Sequence, residues 1–222
     1  EDGIRDLVRS RGLGDVYKRQ EFILYQIIMP ELPEVETVKT YVCEKVLHKK
    51  IKNIKVLDKK LRWPIDSKKI GNTKGKTIKQ VTRRGKYILL KFNEPTLTIV
   101  IHLGMTGIIY FRRTNEYKKR KHDHFLMYFD KHVLVYNDVR KFGSIHVTSE
   151  TSNMFLLKDL GPEPMSHKFN IDHLFEIANR RTCSVKELIM NQKVVVGIGN
   201  IYATEALFLS KIHPATLATV SY

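Results

Sequence analysis

At 222 residues the chain has room for one large or two small domains, and 42% hydrophobic residues supply enough apolar surface for a core. Lys and Arg number 39 against 23 Asp and Glu, and the net charge of +16 points to a polyanionic partner, either nucleic acid or an anionic membrane surface. The two cysteines, Cys43 and Cys183, stand far apart, which excludes a Cys-x-x-Cys zinc site and a disulfide framework and fits a reducing cytoplasm.

Residues 1–28 show no sustained periodicity and read as an appendage. Their apolar run, residues 22–28, is too short to span a bilayer and lacks the small-residue cleavage pattern of a secretory signal. Residues 29–37 then read Met-Pro-Glu-Leu-Pro-Glu-Val-Glu-Thr. A proline behind a methionine becomes the amino terminus when the methionine is trimmed. Its nitrogen is then a secondary amine, able to attack an electrophilic carbon and form an iminium. Glu31, the next residue, is suited to moving the protons of such a reaction. Inside a chain the Pro30 nitrogen is an amide with its lone pair delocalised, and it attacks nothing.

Pro33 opens a predicted helix, with Glu34 and Glu36 in a first turn that favours anions. Val35, Val38, Val42 and Val46 give it one buried stripe, out to about His48. Strand signals follow. Residues 87–92 form an apolar run, Leu97, Ile99 and Ile101 alternate with Thr98 and Val100, and Phe125, Met127 and Phe129 alternate again. Residues 133–136 continue beyond a tight turn at 130–132. Short antiparallel strands behind one helix predict a β-sandwich. Leu-Gly-Pro-Glu-Pro at 160–164 reads as a linker. Helical periodicity returns with Ile171, Leu174, Phe175 and Ala178, then a capping box at 184–187. Gly197-Ile198-Gly199-Asn200 leads into a last helix over 201–210, with Asn200 suited to cap it.

Four segments carry candidate chemistry. Arg83, Arg84 and Lys86 crowd a strand end and could grip phosphates, against the competing reading of a solvated basic turn. Met105 lies between Gly104 and Gly107, as an apolar wedge for a gap between base steps or as a core methionine. Arg140 could hydrogen-bond an orphaned base while Phe142 stacks beside it; a surface arginine and a buried phenylalanine explain the pair as well. The turn at 197–200 puts backbone N–H groups at a helix start, which serves as a phosphate site or a plain cap.

Together these segments resemble the bacterial formamidopyrimidine-DNA glycosylases. The resemblance runs in order from Met29 to about Pro214: PELPEVET at 30–37, RRGKYILL at 83–90, HLGMTG at 102–107, DVRKFG at 138–143, LGPEP at 160–164 and VVGIGNIYATEALF at 195–208. Leu32 stands where the related endonuclease VIII enzymes typically have glycine, which places the chain on the purine-lesion branch. The resemblance implies an α+β protein: a catalytic β-sandwich domain with an initial helix over 29–160, an incomplete helix–two-turn–helix domain over 161–222, and damaged double-stranded DNA in the cleft between them. It implies a base-excision-repair enzyme, glycosylase and abasic-site lyase in one, that removes 8-oxoguanine and formamidopyrimidines.

On this resemblance Pro30 attacks C1′ of the damaged nucleotide, Glu31 transfers protons, and the iminium leads to β- and δ-elimination of the 3′ and 5′ phosphates. Lys86 is matched to the lysine of the catalytic site, and His102 and Asn200 to other phosphate contacts. Met105, Arg140 and Phe142 match the trio that fills the vacated stack and pairs the widowed base. Lys186 matches a position in damaged-base processing, and Glu34 and Glu205 match buried carboxylates beneath the site. The chain departs from the family pattern in three ways: residues 1–28 precede Pro30, the four-cysteine zinc finger is missing, and the closing loop and second motif helix fall beyond Tyr222. No metal or cofactor is therefore expected in this chain, although full-length members bind one structural zinc. The sequence reads as a fragment acting as a monomer in the bacterial cytoplasm, without a membrane. The competing reading is a catalytically inactive DNA-binding remnant.

Overall fold

In the computed structural model, which describes residues 30–93 and 97–219, the chain opens with helix α1, Leu32–Val46. The expected appendage at residues 1–28 lies outside the described residues. Pro33 sits in the first turn, and the Glu34 carboxylate accepts the Glu31 N–H at 3.0 Å, which satisfies a donor that the helix itself leaves orphaned. The predicted stripe of four valines is buried throughout. The helix stops two residues short of the expected end, because Leu47 leaves helical geometry and His48 takes a positive φ of 60°.

Two four-stranded antiparallel sheets follow, and they form the expected sandwich. The first has the order β1-β6-β7-β5, with β1 Asn53–Val56, β5 Gly107–Arg113, β6 Asp123–Tyr128 and β7 His132–Asp138. The second has the order β2-β3-β4-β8, with β2 Ile78–Arg84, β3 Tyr87–Phe92, β4 Thr98–His102 and β8 Ser144–Thr148. A short helix α2, Ser67–Gly71, lies between β1 and β2 and is capped by Asp66. The facing sides of the sheets share one core with α1: Ile88, Leu90, Ile99 and Ile101 meet Phe111, Phe125, Met127 and Leu134. Each such side chain contributes about 1.5–3 kcal/mol over leaving it exposed.

The outer faces are covered too. Leu89 and Val100 pack under Met154 and Leu157, and Tyr110, Leu126, Val133 and Val135 form a separate cluster with Tyr117. Burial on both faces explains why β3 and β7 read as apolar runs rather than alternating strands. Sequence patterning missed four strands: β1 and β8 alternate polar and apolar residues over only four and five positions, β2 does not alternate, and β5 ends on two arginines.

Helices α3 (Ile171–Ala178), α4 (Val185–Met190) and α5 (Asn200–Leu209) make up the second unit. The predicted capping box is present: Ser184 Oγ accepts the Glu187 N–H at 3.2 Å, and Glu187 accepts the Ser184 N–H at 2.9 Å. The segment read as a linker is a strap fixed on both sides. Gly161 donates to the Gln192 carbonyl at 2.8 Å, and the Pro162 carbonyl accepts from Val196 at 3.0 Å.

The basic turn is neither solvated nor available as a whole. Arg83 donates to Glu36 and Glu163, both at 2.7 Å, while Arg84 donates to Glu163 at 3.1 Å and to the strap carbonyls of Leu160 and Gly161. Sequence proximity suggested a cluster of three cations, but two of them are consumed in joining the sandwich to the helical unit. Among the described residues no helix is long and apolar enough to cross a membrane.

Candidate active site

A cavity of about 930 Å³ opens between the sandwich and the helical unit. Pro30, Glu31, Lys86, His102, Met105, Arg140, Phe142 and Asn200 all line it, although the chain separates the first from the last by most of its length.

Glu31 is 2% exposed, and its carboxylate reaches across to the start of α5. Oε2 accepts the Gly199 N–H at 2.7 Å and the Tyr202 N–H at 3.3 Å, and Oε1 accepts the Ile201 N–H at 2.9 Å. A buried carboxylate needs such partners, and a helix N-terminus supplies them along with a favourable dipole. This arrangement corrects two expectations. Gly199, not Asn200, is the cap position, and Asn200 is the first helical residue. The turn at 197–200 had two readings, a phosphate site or a plain cap; the Gly199 N–H, with those of Ile201 and Tyr202 in the helix, is instead taken by the Glu31 carboxylate.

Gly197 and Gly199 make this closeness possible. Gly197 has a φ of 85° and takes the Leu32 N–H on its carbonyl at 3.0 Å. A Cβ on Gly199 would lie 2.5 Å from Glu31 Oε1 and 2.8 Å from Lys86 Nζ, so that glycine also shows how near the carboxylate and the ammonium are. Burial pushes the Lys86 ammonium below the usual lysine range, while Glu31 and Glu34 pull only partly the other way. Glu34 is half-buried and accepts the Tyr202 hydroxyl at 3.0 Å.

His102 sits at the end of β4 against the Tyr87 ring, 4.7 Å between centroids. Burial first, then the positive charges of Lys86 and Arg62, push its pKa down to about 4. Its Nδ1 accepts the Gly104 N–H at 3.1 Å, so the neutral ring carries its proton on Nε2, as a donor.

The loops bearing Met105, Arg140 and Phe142 are bound to each other by Asp138, which is fully buried at the end of β7. One of its oxygens accepts the Thr106 hydroxyl at 2.5 Å and the other the Gly143 N–H at 2.8 Å; Thr106 Oγ1 in turn accepts the Arg140 N–H at 3.1 Å. Gly104, at φ 65°, presses so closely on the second loop that a Cβ there would stand 2.5 Å from Gly143 N. Met105 is partly buried, between the loop-tip and core readings. The Arg140 guanidinium lies 4.6 Å from the centre of the Phe142 ring, and both side chains are exposed.

Glu34, Lys186 and Glu205 are not among the lining residues. The expectation that Glu205 is buried is corrected: α5 buries Ala203 and Leu207, one turn apart, and Glu205 points to the opposite, exposed side. Residues that sequence reasoning missed are Asp138, Glu163, Gln192 and the role of Gly199. Gln192 donates to the Ile198 carbonyl and accepts the Gly197 N–H, both at 2.8 Å, and so shapes the turn under Glu31. None of them has a local signal, since each acts on a partner distant in sequence or through a turn. Among the described residues no group of three or more His, Cys, Asp or Glu could hold a metal ion.

Residues 29–145 match the family model described as the formamidopyrimidine-DNA glycosylase N-terminal domain, and residues 160–220 match its H2TH domain. The chain is 42% identical over 192 residues to the formamidopyrimidine-DNA glycosylase of Teredinibacter turnerae, covering 86% of this chain and 70% of the relative. For the Acinetobacter baylyi protein of the same name, identity is 45% over 193 residues, with 86% and 69% covered. Among solved structures, the Lactococcus lactis enzyme bound non-covalently to DNA containing an AP site is similar with a TM-score of 0.78 at 33% identity, covering 85% of this chain and 72% of that one. The same enzyme with DNA containing N7-benzyl-Fapy-dG also gives 0.78, at 34% identity over 86% and 71%.

Proposed function

The chain belongs to the formamidopyrimidine-DNA glycosylase family, and from that premise we propose that it removes oxidised purines from double-stranded DNA and cleaves the strand at the resulting abasic site. The observation that most supports this reading is the meeting of Pro30, the buried Glu31 carboxylate and the Lys86 ammonium in one cleft. Its substrates are 8-oxoguanine and formamidopyrimidines, and it acts as a monomer in the bacterial cytoplasm.

With its nitrogen free, Pro30 adds to C1′ of the damaged nucleotide, and the glycosidic bond breaks with its electron pair leaving on the base. Glu31 takes the proton that the attacking Pro30 nitrogen sheds and passes it to O4′ as the sugar opens, which leaves an iminium between the Pro30 nitrogen and C1′. The iminium acidifies C2′. Loss of a C2′ proton expels the 3′ phosphate, a second elimination expels the 5′ phosphate, and water releases Pro30. Lys86, the Nε2–H of His102 and the Asn200 amide hold the phosphates flanking the lesion. Met105 fills the emptied stack, while Arg140 and Phe142 face the base left without a partner. Glu34 supports the site indirectly, through the start of α1 and the Tyr202 hydroxyl. No step is assigned to Lys186 or Glu205.

The reaction requires an amine at Pro30. While a residue precedes it, the nitrogen is an amide, and the same cleft can bind DNA without opening it. Borohydride trapping on an 8-oxoguanine or abasic duplex separates the two cases. Protein beginning at Pro30 should form a covalent adduct, and protein with any residue before Pro30 should form none. Absence of an adduct from the Pro30-initiated chain would overturn the assignment.

A further inference from the structure

A dense run of cations lies outside the cleft. Residues 112–121 hold six cations, and their single carboxylate, Glu116, is engaged with Arg113 at 3.4 Å. Lys118, Lys119 and Lys121 are exposed and take part in no ion pair among the described residues. The contrast is with Arg83 and Arg84, whose charges are spent within the protein.

The topology brings this segment back to the cleft. β5 runs away from it, from Gly107 opposite Asp138 to Arg113 opposite His132. β6 starts again at the cleft end, with Asp123 opposite Asn137. The connection therefore returns along the outer face of the first sheet over a strand length of about 20 Å. It ends next to the loop anchor, where the Asp138 N–H donates to the His122 carbonyl at 3.1 Å.

The segment is also held in place. Asp123 is 3% exposed and accepts four donors: the Tyr110 and Tyr117 hydroxyls at 2.9 Å, the Arg120 N–H at 2.8 Å and the Asn137 amide at 2.9 Å. The guanidiniums of Arg112 and Arg120 lie 5.3 and 5.2 Å from the Tyr110 ring centre. Between these side chains and Lys118 and Lys119 is a hollow of about 310 Å³. A fixed array of cations facing solvent binds a polyanion at smaller entropic cost than a mobile tail does.

We propose that residues 112–121 form a second phosphate track, which holds the DNA backbone of duplex flanking the lesion through Lys118, Lys119 and Lys121. This rests on the reading that DNA occupies the cleft, and it extends the bound duplex along the outer face of the first sheet. The contact is with phosphates and is independent of base sequence.

The test is a triple variant, Lys118→Ala with Lys119→Ala and Lys121→Ala, against a control triple at the far end of the sandwich, Lys49→Ala with Lys50→Ala and Lys52→Ala. Binding to undamaged duplexes, one just spanning the cleft and one some twenty base pairs longer, is measured over a salt series. On the longer duplex the first triple should lower the slope of log affinity against log salt by about 2–3, close to 0.9 per lost phosphate contact. On the short duplex both triples should behave alike. Equal effects of the two triples on the long duplex, or no effect of the first, would overturn the track. Trapping with the unmutated, Pro30-initiated protein is run in parallel. Loss of the adduct with the slope difference intact would remove the enzymatic reading and leave the track standing.

Discussion

Gly199 shows how tightly one residue can constrain a site. Its missing side chain is the space in which Glu31 and Lys86 approach each other, because a Cβ would stand 2.5 Å from the Glu31 carboxyl carbon and 2.8 Å from the ammonium. Gly199→Ala should leave the circular dichroism spectrum unchanged and reduce trapping by the Pro30-initiated protein on the order of 100-fold, the usual consequence of moving a reacting group by about 1 Å. His102 makes a different prediction. The unfolded chain takes up a proton on this residue near pH 6.5, but the folded chain refuses it until about pH 4. The folded state therefore loses stability as pH falls through that interval. In urea unfolding, the midpoint should drop more between pH 7 and pH 5 for the parent protein than for His102→Gln, which has nothing to titrate there. Equal drops would mean that the ring is not held neutral.

At the scale of elements, the joint between β2–β3 and the strap decides where Lys86 sits. Glu163 accepts from Arg83, from Arg84 and, at 2.7 Å, from the N–H of Gly85, the residue before Lys86. Burial pushes the Glu163 carboxyl up, but the Gly85 hydrogen bond and the two guanidiniums outweigh it and hold the group below the usual glutamate range. Its contribution is thus present above the ordinary carboxylate pKa and is lost as pH falls through the lowered folded value. Glu163→Gln at pH 7 should cost about 1–3 kcal/mol in denaturant unfolding, less than a fully buried pair because the network is partly exposed. The same variant at pH 3 should lie closer to the parent. The elements themselves were legible to different degrees. α1 was readable because its valine stripe is a one-sided pattern. β3 was readable because it is apolar on both faces. β1 and β8 were not, since an alternation over four or five residues is too short to stand out, and β2 was not, since it does not alternate; pairing across the sheets holds all three in place.

For the molecule as a whole, the net charge of +16 announced a polyanionic partner without saying which cations would meet it. Folding sorts them. Arg83 and Arg84 join two units, Lys86 enters the cleft, and Lys118, Lys119 and Lys121 remain on an open face. Most of the candidate site was legible as motifs, and eight of the residues singled out line one cleft. The residues that hold it together were not legible. By itself the sequence determined four of the helices, the apolar strands, the ordered set of motifs and the family, because periodicity, capping and motif spacing depend on neighbours along the chain. Only the tertiary structure decided that Glu31 caps a helix 168 residues away and that Glu163 reaches back 80 residues to Arg83. The reason is physical: a buried charge takes whichever partners chain closure brings within reach, and no local pattern records them.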